Sequence, residues 1–425
     1  MQFIRNILDK QKPLFEKGGK LERWYPAFEA FETFAFVPNH TAPAKGAHVR
    51  DAIDLKRMMM TVIIAMVPCL LFGIWNVGYQ HYLALGQAAS FVDMMIVGAI
   101  KVLPLVVISY GVGLGIEFGF AVMKGHSVNE GYLVSGMLIP LIMPVTVPLW
   151  QVALATAFAV VIGKEVFGGT GMNILNVAMT ARAFLYFAYP VRMAGSTVWT
   201  YVPEGATVVN GYSGATALGV AAEKSKQLYD AKIAAIQANG TIPSIEGAIE
   251  SSFATDWWAA DMYSAWSMFI GTIPGSIGET STLACLIGAA ILIITGVGSW
   301  KIIVGGFAGA YALAAAFYAL ALYTDAGTAY MAIPPHYHLI MGGLAFGIVF
   351  MATDPVTATQ TEKGKWIYGF LIGALTVLIR VFNPAYPEGI MLAVLLMNVF
   401  APLIDYYIVG ANKARRLKRL KLKAA

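Results

Sequence analysis

Charge is scarce in this sequence. Only 12% of its 425 residues are Asp, Glu, Lys or Arg, about half the share found in a soluble domain. Such a chain cannot cover a globule with polar surface. An ordinary cytosolic enzyme, a disordered chain and a coiled coil are therefore excluded. Cysteine is scarcer still: Cys69 and Cys285 each sit within an apolar run and are expected as small buried hydrophobes. Two thiols cannot hold an iron–sulfur cluster, which usually takes four. No short apolar core with a small-residue cleavage site opens the chain, so no signal peptide is expected. The net charge of +5 does not point to nucleic acid, because the basic residues gather at the two ends.

What is abundant is hydrophobicity, with 58% apolar residues and a mean hydropathy of +0.66. The chain reads as an all-α integral membrane protein, and at roughly 20 apolar residues per crossing it has room for about ten helices. Residues 1–57 are polar, basic and amphipathic, and read as a cytoplasmic segment lying on the membrane or on a partner. The first five spans fall near Met58–Val77, Met94–Phe118, Gly131–Val147, Leu149–Ile162 and Met172–Val191. A polar interval, 192–256, separates them from five more. These lie near Ser281–Val297, Ile302–Tyr323, His338–Ala352, Trp366–Phe382 and Gly389–Val409, with 257–279 as an interfacial lead-in and 411–425 as a basic tail. The membrane halves are thus 58–191 and 257–410.

Orientation follows from Lys and Arg. With ten crossings, 22 of the 29 basic residues fall on the side of the N-terminus. Both termini are expected in the cytoplasm and 192–256 outside. A faint internal repeat relates Gly136–Thr146 to Gly343–Thr357, each in the third helix of its half. Because each half has an odd number of helices, two such copies are inverted, and broken helices at matching places point to a site near the midplane.

Ionisable residues inside spans cost roughly 2.5–3.5 kcal/mol each on insertion scales and are functional candidates by default. Here they are Lys101, Glu117, Arg182, Asp354, Arg380 and Asp405, with Glu130 and Glu279 at helix ends. Lys101, Glu117 and Arg380 are expected in buried ion pairs or snorkelling to the interface. Asp354 differs, because Thr353-Asp354-Pro355 breaks a helix at a repeat position. Gly111, Gly113 and Gly115 suit close helix packing. Gly168-Gly-Thr-Gly171 lacks the Gly-Lys-Ser/Thr ending of a P-loop and reads as a tight turn. His336 and His338, two apart beside Pro334-Pro335, do not face one metal, and no facing histidine pair lies in the spans, so b-type haem is not expected.

The external interval holds Asn210-Gly-Tyr-Ser213-Gly214-Ala215-Thr216. Alone, this is a run of small residues ending in an exposed hydroxyl, compatible with a simple turn. With its wider context it resembles a family: the membrane subunits of sodium-pumping NADH:quinone oxidoreductases and of the related Rnf complexes (NqrB/RnfD family). The context is His48-Val-Arg-Asp51, Asp54-Leu-Lys-Arg57, Pro148-Leu-Trp-Gln151, Gly163–Gly171, Asn173-Ile-Leu-Asn176, Ala181-Arg-Ala-Phe184, Gly278-Glu279 and Ala352-Thr-Asp-Pro355. The long charged N-terminal segment resembles the sodium-pump branch, since the Rnf branch is shorter there. The family pattern often has Asp six residues before the Thr, where this chain has Asn210.

The resemblance implies a bacterial inner-membrane subunit working only within a six-subunit complex. It implies FMN joined through its phosphate to Thr216, within Ser213-Gly214-Ala215, by a flavin transferase. It also implies a second, noncovalent flavin, riboflavin, for which Asn173 and Asn176 are candidates. Three apart, these share one helix face and otherwise read as capping or interhelical hydrogen bonding. Electrons are then expected to run from FMN through riboflavin to ubiquinone, near the N-terminal segment and Gly125–Gly131, coupled to Na+ export. Asp354, Asp405 and Glu130 are candidates for the Na+ pathway. Equally, backbone carbonyls near Ile142, Val145, Leu149, Phe346 and Phe350, where the broken helices meet, are candidate Na+ ligands. Iron–sulfur, FAD and NADH sites belong on other subunits. Lipid and quinone complete the expected partners. The rival readings are an Rnf-type ferredoxin:NAD oxidoreductase subunit and a non-redox channel or transporter on the same repeat. The second leaves Ser213–Thr216 unexplained.

Overall fold

The computed structural model describes residues 2–36, 55–125, 128, 131–223, 261–323, 328, 330–331, 333–383 and 388–424. Among them there is no β-strand. Two helices, α1 (Gln2–Phe15) and α2 (Tyr25–Ala35), form the N-terminal segment. They are joined to each other by Lys12–Glu32 at 2.9 Å and by stacking of Phe15 on Phe28. Then come α3 (Leu55–Leu85), α4 (Phe91–Lys124), α5 (Tyr132–Leu141), α6 (Leu149–Gly163) and α7 (Val177–Ala188). After 261 follow α8 (Thr282–Ile294), α9 (Trp300–Tyr323), α10 (Pro335–Ile340), α11 (Glu362–Phe382) and α12 (Ile390–Ala424). Six of these are long and apolar enough to cross a membrane; α5, α7 and α8 are shorter apolar helices.

Local chemistry sets the helix ends more sharply than hydropathy does. The second span starts at Phe91 rather than Met94 because Ser90 and Asp93 form a capping box. It ends at Gly125, whose φ of 69° closes the helix in the left-handed region. The fifth starts at Val177, not Met172, because the Asn176 side chain accepts the Met179 N–H. Asn173 and Asn176 therefore do not share a helix face: one lies in the preceding loop and the other is the cap. The last helix, expected to stop near Val409, continues to Ala424.

Two spans are interrupted. α5 ends at Leu141, and Pro144 and Pro148 keep the link 142–148 out of helix until α6 begins. In the second half, α10 gives way to a short turn, Leu344–Phe346, and a π-helical segment, Gly347–Met351. The chain leading into α8 is hydrogen-bonded to the end of α5, with Gly278 N–H donating to the Leu141 carbonyl at 2.7 Å. The chain leading into α7 meets the end of the other interrupted span, with Asn176 Nδ2 donating to Asp354 Oδ2 at 3.4 Å.

Helices cross closely where side chains are absent. A Cβ at Gly98 of α4 would collide with the Ile74 carbonyl of α3, and one at Gly373 of α11 with the Gly306 carbonyl of α9. Gly113 likewise packs on Tyr132, whereas Gly111 and Gly115 face outward with open space beside them.

Candidate functional site

The Ser213–Thr216 segment lies at the α3 C-terminal end of the bundle, held from both sides. Tyr212 donates its hydroxyl to Gln80 Oε1 at 2.9 Å and lies 2.8 Å from Thr200 Oγ1. Burial pushes the Tyr212 phenol up to about 12. Tyr263 donates to the Ala215 carbonyl at 2.7 Å. Gly214 is buried with a φ of 65°, and a Cβ there would press on the Ser196 carbonyl. Thr216 is half-buried and caps a helical stretch, 217–223, its Oγ1 accepting the Gly219 N–H at 3.1 Å. This bond uses a lone pair of the hydroxyl. Among the described residues nothing uses its proton, so an ester at Oγ1 breaks no hydrogen bond that the hydroxyl donates.

A second candidate site lies near the opposite end of α3. A cavity of about 80 Å³ is bordered by Asn173, Asn176, Asp354, Lys164 and Thr170, and by Met58, Met59, Val134, Leu138, Leu292 and Phe350. Both interrupted spans thus contribute to it. Asn176 is already engaged as a helix cap and with Asp354; Asn173 donates to the Leu175 carbonyl, and its Oδ1 has no partner among the described residues. Asp354 accepts from Val356 N–H and Thr357 Oγ1 as well. From Met58 to Gln80 along α3 is about 30 Å at 1.5 Å per residue, the thickness of a hydrocarbon core.

Other candidates fall elsewhere. Asp405 accepts from the backbone of Gln360 and Thr361 and from Thr361 Oγ1, fastening the start of α11. Glu130 and the interval 224–256 lie outside the described residues. Ile142 and Val145 are buried on the link 142–148, and their carbonyls receive no donor among the described residues. Leu149 opens α6; Phe346 and Phe350 belong to the interrupted span, their ring centroids 4.9 Å apart.

The charged residues inside spans divide by partner. Glu117 pairs with Lys164 at 2.5 Å, both buried, as expected of an ion pair. Lys101 has no carboxylate partner among the described residues: its ammonium lies 3.6 Å from the ring centroid of Tyr201, in the loop at the α3 C-terminal end, a cation–π contact. Arg380 departs from expectation. Fully buried, it donates to the carbonyls of His338, Met341 and Glu388 rather than to a carboxylate. Carbonyl acceptors leave no trace in composition. Arg182 meets Glu279 and also Glu388, a partner that nothing in the sequence singles out. Nor does the sequence mark Lys164 and Thr170 as cavity residues, beyond their place beside Gly163 and Gly171 at the turn. The two cysteines are buried thiols 3.9 Å apart. His338 is buried, and no cluster of metal-binding side chains exists among the described residues.

The NQR2, RnfD, RnfE family matches the chain over residues 43–413. The B subunit of the Na(+)-translocating NADH-quinone reductase of Chromohalobacter salexigens is 45% identical to it over 437 residues, covering 98% of this chain and 96% of that protein. The proteins of the same name from Stutzerimonas stutzeri and Pseudomonas aeruginosa are 45% and 43% identical, each covering 98% of this chain and 99% of their own length.

Proposed function

The chain belongs to the NQR2, RnfD, RnfE family, and on that premise we propose that it is the B subunit of a sodium-translocating NADH:quinone oxidoreductase. It is a multi-pass membrane protein, one chain of an enzyme complex that acts with others. In this reading it crosses the bacterial inner membrane ten times as two inverted five-helix halves. Both termini are cytoplasmic and 192–256 is external. The interruption of the third span in each half, after Leu141 and across Leu344–Met351, supports the repeat.

The observation that carries the redox assignment is Thr216. Its hydroxyl stands among small residues on an anchored loop, and its proton is free for replacement by phosphate. A flavin transferase is the partner that would attach FMN there. Riboflavin would be held in the cavity at the far end of α3. Its lining suits an isoalloxazine in chemistry, with amide, lysine and threonine groups beside methionine and phenylalanine. A cavity of about 80 Å³ holds only a few water molecules, so a three-ring group requires the unbranched Met58 and Met59 to swing aside. Flavins supply one- and two-electron chemistry; this chain supplies the attachment, the polar edge and the exclusion of water.

Ubiquinone is assigned to a groove of about 750 Å³ beside the N-terminal segment, lined by Phe15, Tyr25, Pro26, Val122 and Gly125 together with Glu16, Lys17, Glu22 and Arg23. The Na+ pathway is assigned to the junction of the interrupted spans. Buried carbonyls without donors, at Ile142 and Val145, are costly in a dry interior. A dehydrated cation passing there satisfies them. Asp354, Asp405 and Glu130 remain the carboxylates of the path.

The test is direct. The chain is co-produced with the flavin transferase, denatured, and its gel band examined for ultraviolet-excited fluorescence. A fluorescent band that goes dark in Thr216→Ala supports the assignment. A dark wild-type band, with the transferase active on a control substrate, removes it and favours a transporter without redox chemistry.

A further inference from the structure

The last helix does not stop at the membrane. α12 runs unbroken for 35 residues, or about 50 Å, against a hydrocarbon layer of about 30 Å. Tyr406, Tyr407 and Val409 are exposed along it, and tyrosines in this position mark the headgroup level. Every residue from 411 to 419 is exposed. Five of them are cations, Lys413, Arg415, Arg416, Lys418 and Arg419; none is acidic. Among the described residues none of the five has a carboxylate partner.

Their placement distinguishes what they can bind. At 100° per residue the five spread around the helix, leaving no gap wider than about 140°. A protein partner docks on one side. Cations on every side suit a medium that surrounds the helix. Along the axis they fall about 9–18 Å beyond Tyr407. That range begins just past a headgroup layer of about 5–8 Å and ends about one Debye length, about 8 Å, beyond it. Nearly all of this stretch lies past residue 413, where the family match ends.

We propose that this helical extension is a docking element for acidic phospholipid, whose headgroups gather beneath the five cations at the end of α12. The test uses the full chain in nanodiscs of phosphatidylcholine with a minority of phosphatidylglycerol. Spin-labelled versions of the two lipids report the motionally restricted fraction of each. At low salt the acidic lipid is held in preference by about threefold or more, in line with juxtamembrane basic clusters. The preference decays toward unity as salt approaches about 1 M, where the Debye length is about 3 Å. This series needs no variant.

The variant R415Q/R416Q/K418Q/R419Q loses most of the preference, while R415K/R416K/R419K keeps it, because a charged surface asks for charge rather than guanidinium geometry. An unchanged preference in the glutamine variant, or none in the wild type at low salt, overturns the proposal. Inorganic phosphate at constant ionic strength displaces no more lipid than chloride does; stronger displacement reveals a discrete phosphate site and overturns it as well. Loss of the preference in the assembled complex, with cross-linking of the extension to another chain, assigns the cations to a protein instead.

Discussion

Arg182 and Glu279 meet in the protein interior, Nη1 lying 2.8 Å from both carboxylate oxygens, although 97 residues separate them. The same guanidinium reaches Glu388 at 2.5 Å through Nη2. Arg380 in turn holds the Glu388 carbonyl, so two cations and two carboxylates form one neutral buried set. Glu279 stands at the joint of the interrupted spans. Its neighbours Ile277 and Gly278 donate to the carbonyls of Met143 and Leu141, and its carboxylate lies against Gly343, leaving no room for a Cβ there. One ion pair therefore fixes how both interrupted spans approach each other.

Removing either partner is not symmetric. Arg182→Gln strands two buried carboxylates, whereas Glu279→Gln leaves the guanidinium paired with Glu388. Breaking a buried pair costs about 3–5 kcal/mol. Arg182→Gln is expected at or above that range and Glu279→Gln below it. Thermal unfolding of the detergent-solubilised variants measures the order. Equal losses, or a greater loss in Glu279→Gln, contradict this arrangement.

Glu117 and Lys164 give a second test of the same physics. Lys164→Met leaves Glu117 buried and unpaired, with Oε2 already lacking a partner. The double variant Glu117→Gln/Lys164→Met is expected to recover at least about 1 kcal/mol of the single variant's loss. A double-mutant cycle on unfolding midpoints reads this, and strict additivity of the two changes rules it out.

Thr216 caps a helical stretch and is the proposed point of flavin attachment, and substitutions separate the two. Asn is as good an N-cap as Thr but has no hydroxyl to esterify. Thr216→Asn is expected to fold with stability within about 0.5 kcal/mol of wild type and to carry no covalent flavin. Thr216→Ser keeps both. Flavin absorbance per chain, measured after denaturation, decides. Covalent flavin on the asparagine variant refutes the attachment site.

Much of this organisation is legible in the sequence, and the gaps have physical causes. Apolar runs mark helices well, because a span without charge has few alternatives. The breaks at Pro144 and Pro355 are visible because proline and glycine act locally. Hydropathy misplaces the helix starts at Phe91 and Val177 by a few residues, since Ser90 and Asn176 act through single side-chain hydrogen bonds that it ignores. The Arg182–Glu388 contact joins residues 206 positions apart, and nothing local announces it. Gly111, Gly113 and Gly115 look alike in sequence, yet the helix turn sends only Gly113 against Tyr132.

The N-terminal segment carries a pH prediction. Glu32 accepts from the Lys12 ammonium and raises its pKa above 10.5. A raised lysine contributes fully below its unfolded value and is lost only as pH climbs through the raised one. The contribution of this pair to docking α1 on α2 is therefore constant from neutral pH up to the ordinary lysine range. The pair is partly exposed, so its worth is below about 1 kcal/mol. Lys12→Gln is expected to raise the quinone KM by about twofold to threefold with kcat unchanged. A KM that changes with pH in the wild type below that range, but not in the variant, contradicts the sign.

Asp354 and Asp405 stand in different surroundings, and so predict different losses of Na+ binding. Asp405 spends both oxygens on the start of α11; its asparagine variant gives up an acceptor for a backbone N–H, at about 1–2 kcal/mol of stability. Asp354 borders the cavity between the interrupted spans and also spends both oxygens, one on Val356 N–H and one on Thr357 Oγ1 and Asn176 Nδ2; Asn in its place gives up an acceptor and the charge that, in the proposed path, favours a cation. Asp354→Asn is expected to raise half-saturating Na+ for quinone reduction about tenfold, equivalent to about 1.4 kcal/mol, and to cost about 1–2 kcal/mol of stability as well. Asp405→Asn shifts Na+ less at a similar loss in unfolding. Na+ titrations of the assembled complex, set beside NADH oxidation by a soluble acceptor, separate ion binding from electron supply. If Asp354→Asn slows both reactions alike with unchanged Na+ dependence, the carboxylate serves the fold and the cation passes by backbone carbonyls alone.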